Sequence, residues 1–160
     1  MRARRGFSII ELLVVLTIIG ILVRMGFPRY QDLRRQADAR AIIGDVLAVR
    51  VAAYNFNTER QSWPADAGQG TVPAELVALL PAGFTFSRPT FTMDWDVFPG
   101  AASGGGSGSA ATATDVIALT IDSPDTVLVS AVRHAATSGI PYLISGTRTT
   151  FLLAGFGGNF

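Results

Sequence analysis

The sequence predicts an α+β fold in which one long N-terminal α-helix packs, over its second half, against a small antiparallel β-sheet head. Three observations predict it. A largely apolar run occupies Phe7 to Val23, with Glu11 its one charged residue. Beyond Pro28, Ile42, Val46, Val49, Ala53 and Phe56 recur at alternating steps of four and three, the spacing of one helix face. Further on, Phe91, Met93, Trp95 and Val97 alternate with Thr92, Asp94 and Asp96, the period of a half-buried strand.

The first element runs from Phe7 to Val23, roughly 25 Å of helix, and Met25, Gly26 and Phe27 extend it to about the thickness of a bilayer core. Arg2, Arg4 and Arg5 before it favour a cytoplasmic N-terminal end, while Arg24 and Arg29 flank its far side. The amphipathic stripe continues the same helix to about Phe56, some 75 Å in all, more than one small head can bury. Its first half must therefore pack on something else, lipid first and other subunits later. Gly20 and Pro28 bracket its weakest stretch, because glycine is a poor helix former and Pro28 removes the bond to the Arg24 carbonyl. On the residues alone that stretch reads as a modest kink.

The turn-rich segment Gln61 to Gly70 leads to a short helix expected over Pro73 to Leu80, with proline near its start and Pro81 closing it. Strands are expected at Phe91 to Val97, at Ile117 to Ile121 and at Arg148 to Ala154. Ser123 and Pro124 resemble a helix start, although residues 124–136 fit helix and strand alike. An antiparallel sheet on the second half of the long helix is the economical arrangement. Pro99 to Thr112, mostly glycine, serine and alanine, reads as a surface loop; with no following Lys and no strand-to-helix transition it does not fit a phosphate-binding loop.

Glu11 carries the functional signal. An ionised carboxylate in a hydrocarbon-spanning segment costs at least a few kcal/mol and by default marks a function. A cut after Gly6 would make Phe7 a new α-amine, a cation about one helical turn before Glu11. The leader Met1-Arg2-Ala3-Arg4-Arg5-Gly6 suits such a cut, being short, basic and terminated by glycine just before the apolar run. An ordinary secretory signal would be cut beyond the apolar region, where Ile21 to Gly26 offers no small-x-small site. A plain anchor leaves Glu11 without a purpose.

Glycine, aromatic, carboxylate and apolar run in this register resemble the class III leader of the type IV pilin-like family, comprising type IV pilins and type II secretion pseudopilins. The resemblance is specific over about residues 1–30 and architectural after that. It implies the type IV pilin-like fold, cleavage by a prepilin peptidase between Gly6 and Phe7, N-methylation of Phe7, and a role for Glu11 in assembly. Between Gly20 and Pro28 it implies, on an equal footing with the kink, a place where the helix unwinds. The expected division is a leader at 1–6, a transmembrane and filament-core helix at 7–28, and a globular head at 29–160 that includes the second half of the long helix. The segment from Trp63-Pro64 into Pro73–Leu80 resembles the family's αβ-loop, and the lack of Cys departs from the many pilins that close a C-terminal loop with a disulfide.

Composition narrows the alternatives. The 160 residues suffice for one small domain plus the N-terminal segment. All 13 basic residues are Arg, against 12 acidic ones; removing Arg2, Arg4 and Arg5 leaves ten against twelve, net −2, so nucleic acid is not an expected partner. No thiol chemistry is available without Cys. His134 is the only histidine, with no nucleophile-elbow pattern to accompany it, and reads as a residue near a helix C-terminus. Asp94 and Asp96 share a strand face, about 6.5 to 7 Å apart, and read as solvent-facing rather than catalytic. Asp115, Asp122 and Asp125 lie roughly where some major pseudopilins bind calcium, but they form no dense loop and no metal site is assigned to them. No catalytic residue and no cofactor are expected.

The sequence thus points to a structural subunit of a type IV pilus or type II secretion pseudopilus. Its expected partners are the prepilin peptidase, inner-membrane lipid before assembly, and identical or related subunits in a filament. It would cross the inner membrane once, N-terminus cytoplasmic and head periplasmic, before entering a filament. A non-polymerising, membrane-tethered binding module for protein or DNA is the alternative. Pilus against pseudopilus, major against minor subunit, calcium binding and the ligand of the head stay open.

Overall fold

The computed structural model describes residues 8–98, 115–136, 139–155 and 158–159. Helix α1 spans Ile9–Arg60, 52 residues and roughly 78 Å, and passes without a break through Gly20 and Pro28. Ser8 precedes it in extended conformation, and its carbonyl accepts from the Glu11 and Leu12 amides at 3.1 and 3.2 Å. The helix stops at Gln61, which turns left-handed at φ 55° and donates its N–H to the Asn57 carbonyl at 2.8 Å. That is the usual geometry for ending a helix, here adopted by a residue with a Cβ.

Among the described residues five strands follow, with one helix between the second and third: β1 Thr92–Phe98, β2 Val116–Asp122, α2 Thr126–Ala135, β3 Tyr142–Ser145, β4 Arg148–Gly155 and β5 Gly158–Asn159. The sheet runs β1-β2-β4-β3, β5 also pairs with β4, and every pairing is antiparallel. Cross-strand register aligns Trp95 with Leu119, Leu119 with Phe151, and Phe151 with Tyr142. Along β1 and β4, alternation puts Met93, Trp95, Phe151 and Leu153 on one face, all essentially buried. They join Ala39, Ile42, Val46, Val49, Ala52 and Ala53 of α1 in one core. The Tyr54 hydroxyl ties helix to sheet by donating to the Leu153 carbonyl at 2.6 Å, and Trp63 sets its ring edge-on to Tyr54 at 5.3 Å.

The predicted fold class is the observed one. The three expected strands occur at nearly the expected positions, and residues 126–135 are a helix. Asp125 explains that outcome, since its carboxylate caps the helix by accepting from the Val127 and Leu128 amides at 2.9 and 3.2 Å. Pro73 to Leu80 differs from expectation, forming consecutive turns instead of a helix. Leu76 N–H reaches only Pro73, Leu79 only Leu76, and a single four-residue bond joins Leu80 to Leu76, so no helical ladder develops. Leu76 and Leu80 are nevertheless buried, which packing onto the core achieves without a helix. Strands β3 and β5 are additions to the expected set; β3 joins β4 through a two-residue turn with Gly146 at φ 62°. The glycine-rich stretch 99–114 and Phe156, Gly157 and Phe160 of the tail lie outside the described residues.

Candidate assembly surface

Everything on α1 from Ser8 to Arg34 is exposed, and burial against the head begins at Arg35 and Ala39. Ile9 is 81 % exposed, and Leu12, Leu13, Leu16, Ile19 and Leu22 are more than half or about half exposed. Side chains of this kind, left uncovered around a whole helix, require an apolar environment the chain does not itself supply. Among the described residues this is the one helix long and apolar enough to cross a membrane, and its most apolar stretch is entirely unburied.

Glu11 lies in the first turn of α1, where a carboxylate complements the partial positive charge of unpaired backbone N–H groups. The Ser8 side chain makes no capping bond, leaving that role open at the helix start. Thr17, the other polar side chain nearby, returns its hydroxyl to the Leu13 carbonyl at 2.8 Å and so carries no free donor into an apolar medium. A Cβ added at Gly20 would meet nothing within 4 Å, and Pro28 sits inside an unbroken helix. Gly6 and Phe7, the expected processing site, lie outside the described residues.

Above this surface the helix meets the head through polar contacts. Arg35 donates from Nε to Asp125 Oδ2 at 3.2 Å and lies 3.8 Å from Asp32, so the α2 cap is tied to α1. Although burial acts to raise it, the amides of Leu128 and Val127 and the Arg35 guanidinium hold the Asp125 carboxyl below its ordinary value. Beside this tie an open crevice of ≈ 430 Å³ runs between the helices, lined among others by Arg35, Arg40, Val127, Ala131 and His134. Sequence reasoning missed both features, because Arg35 and Asp125 are 90 residues apart and nothing local links them. His134 falls in the last turn of α2, as its expected place near a helix C-terminus requires.

Of the remaining acidic candidates, Asp122 and Asp96 are engaged within the fold. Asp122 pairs with Arg148 at 3.1 Å and accepts from Thr147 at 2.9 Å; the Thr147 bond leads in holding its carboxyl below the ordinary value. Asp94 and Asp96 are half-buried rather than solvent-facing, a correction with a tertiary cause. β1 is not a free edge: Gly70 donates to the Met93 carbonyl and Met93 to the Phe86 carbonyl, both at 2.8 Å, so the preceding loop runs along it. Asp96 accepts from Thr120, whereas Asp94 Oδ1 is buried without a hydrogen-bond partner. Burial, followed by the nearby Asp96 and Asp66 charges, raises Asp94 to about 6; burial also raises Asp96.

A long helix, apolar and bare below, packed on an antiparallel sheet above, with a lone carboxylate in its first turn, is the architecture of a helix-anchored protein with a compact head. Residues 1–23 match the family described as prokaryotic N-terminal methylation motif. Over 92 residues the chain is 37% identical to the type IV narrow pilus major component PilA5 of Thermus thermophilus, covering 58% of this chain and 72% of that protein. It is 40% identical over 53 residues to a fimbrial protein of Pseudomonas aeruginosa, covering 33% of this chain and 34% of that one. A fimbrial protein of Dichelobacter nodosus is 38% identical over 71 residues, 43% of this chain and 44% of that one. The chain spans about a third of the length of the Pseudomonas and Moraxella fimbrial proteins it matches. No solved structure matches it. The chain belongs to the type IV pilin-like family.

Proposed function

We propose that this protein is a structural subunit of a type IV pilus or type II secretion pseudopilus, polymerised through the lower half of α1. The bare surface of residues 8–34, apolar from Ser8 to Val23 around Glu11 in its first turn, carries this reading. The subunit first crosses the inner membrane once, with residues 7–28 in lipid, the N-terminus cytoplasmic and the head, 29–160, periplasmic. A prepilin peptidase hydrolyses the Gly6–Phe7 bond, and Phe7 is then methylated on its new amine. Conversion to the filament replaces lipid around the helix by the helices of other subunits. Glu11 then meets the Phe7 amine of a neighbour, because two opposite charges buried apart each carry a desolvation penalty of several kcal/mol that pairing largely offsets. Gly20 and Pro28 bracket the stretch that unwinds most readily when the helices crowd together.

The test is Glu11→Leu in the full chain. Membrane insertion and a mature N-terminus at Phe7, read by mass spectrometry, should be retained while filaments disappear from electron micrographs. Normal filaments from this variant would refute the pairing role, and a leader retained on the unmutated protein would refute the processing step. An unmutated protein that is cleaved but stays monomeric in membranes would favour the tethered binding module.

A further inference from the structure

Charge is segregated along this molecule. Residues 24–40 contain five arginines and two aspartates, net +3, whereas residues 41–160 contain nine carboxylates and five arginines, net −4. Few of these charges cancel internally. Arg35 is engaged with Asp32 and Asp125, but Arg24, Arg29, Arg34 and Arg40 have no ion-pair partner among the described residues. In the head Asp45, Asp122 and Asp125 are paired with arginine, while Glu59, Asp66, Glu75, Asp94 and Asp96 are not. At about 100° per helical residue, Arg29 and Arg40 lie roughly 20° apart while Arg34 lies more than about 100° from both, so these arginines ring α1 as a collar just below the packed head, with Arg40 at the rim of the crevice against α2. Arg29, Arg34 and Arg40 are exposed.

We propose that this collar of exposed arginines on α1, Arg29, Arg34 and Arg40, docks the acidic head of a second copy of this chain. The proposal rests on the filament reading and names a contact within it. Parallel copies displaced by about 30 Å, the rise of some twenty helical residues, bring segment 29–40 of one level with segment 49–60, and hence the head, of the other. Such a contact lets each copy neutralise the charge its neighbour leaves unpaired, and salt screens it.

The sequence contains no Lys, which makes the contact traceable. Arg29→Lys, Arg34→Lys and Arg40→Lys, made singly in the full chain, keep the charge at an exposed position and each introduce the one side-chain amine. Purified filaments are treated with a zero-length carbodiimide, which joins an amine only to a carboxylate it touches. At least one variant should give a covalent ladder severalfold stronger than the Lys-free filaments, with mapped cross-links to Glu59, Asp66, Glu75, Asp94 or Asp96 and loss of the ladder in 1 M salt. Cross-links only to Asp32 or Asp38 of the same helix would overturn the proposal. So would intact filaments that give no ladder, the outcome expected if these arginines served anionic lipid headgroups instead. Failure of the unmutated protein to form filaments would sink the filament reading and this contact with it, whereas filaments without a ladder sink the contact alone.

Discussion

The two halves of α1 share one backbone and almost nothing else. From Ala39 upward the helix buries one stripe, Ala39, Ile42, Val46, Val49, Ala52 and Ala53, against the sheet of its own chain, and keeps its charged residues outside that stripe, with Asp45 paired to Arg88 of the head. From Ser8 to Val23 it is apolar on all sides around Glu11, and it stays exposed as far as Arg34. The upper half is therefore a component of a domain, with its stability set by local packing. The lower half is an unfinished interface whose environment comes from other molecules. Hydrophobicity alone would rank the lower half as the better core; its uniformity around the helix excludes it from a globular one.

The sharpest way to break this contrast is to truncate one large side chain in each half. Phe151→Ala opens a cavity under the upper half and should destabilise the head by about 3–5 kcal/mol. Leu16→Ala should leave head stability unchanged within about 0.5 kcal/mol while weakening assembly. Both tryptophans, Trp63 and Trp95, lie in the head, so tryptophan fluorescence during urea unfolding in detergent reports that region alone. Equal losses from the two variants would show that the halves are one cooperative unit.

A smaller effect belongs to the head by itself. Burial raises Asp94 from 3.8 to about 6, so the folded state holds that proton more tightly than the unfolded chain. The stability this lends is full below the unfolded value, and falls away as pH rises from about 4 through about 6. Asp94→Asn should therefore raise head stability at pH 7.5 by roughly 1 kcal/mol, after allowance for solvent screening, and lose that advantage near pH 4. A variant no more stable than the parent at pH 7.5 would contradict the desolvation account. An effect of similar size falls where the halves meet. Asp125→Ala removes both the α2 cap and the Arg35 tie and should cost about 1 kcal/mol, seen as a lower urea midpoint at pH 7. An unchanged midpoint would mean the junction contributes no stability of its own.

What could be read without coordinates follows the range of the interactions involved. The 3.6-residue stripe through Ile42 and Val46, the alternation around Trp95 and the carboxylate at Glu11 are local patterns, and each marks its element directly. β3 was hidden because Tyr142-Leu143-Ile144-Ser145 is short, follows Pro141 and shows no alternation; Leu143 remains 64% exposed. Pro73 and Pro81 framed a helix that never forms, since burying Leu76 and Leu80 needs only turns. The partial burial of Asp94 depends on a loop lying along β1, and the Arg35–Asp125 tie joins residues 90 positions apart. Of the candidate assembly surface, Glu11, Gly20 and Pro28 were legible as residues, whereas the boundary between bare and packed helix near Arg35 required the docked head.

The bare stretch from Ser8 to Arg34 also fixes where such a molecule can reside. A copy set loose in water would present a rod of leucine, isoleucine and valine several turns long, which behaves as a detergent tail and drives clumping rather than dissolution. Growth and dismantling of any polymer built from it must therefore exchange molecules directly with a bilayer, whose stock of inserted copies sets the rate of supply.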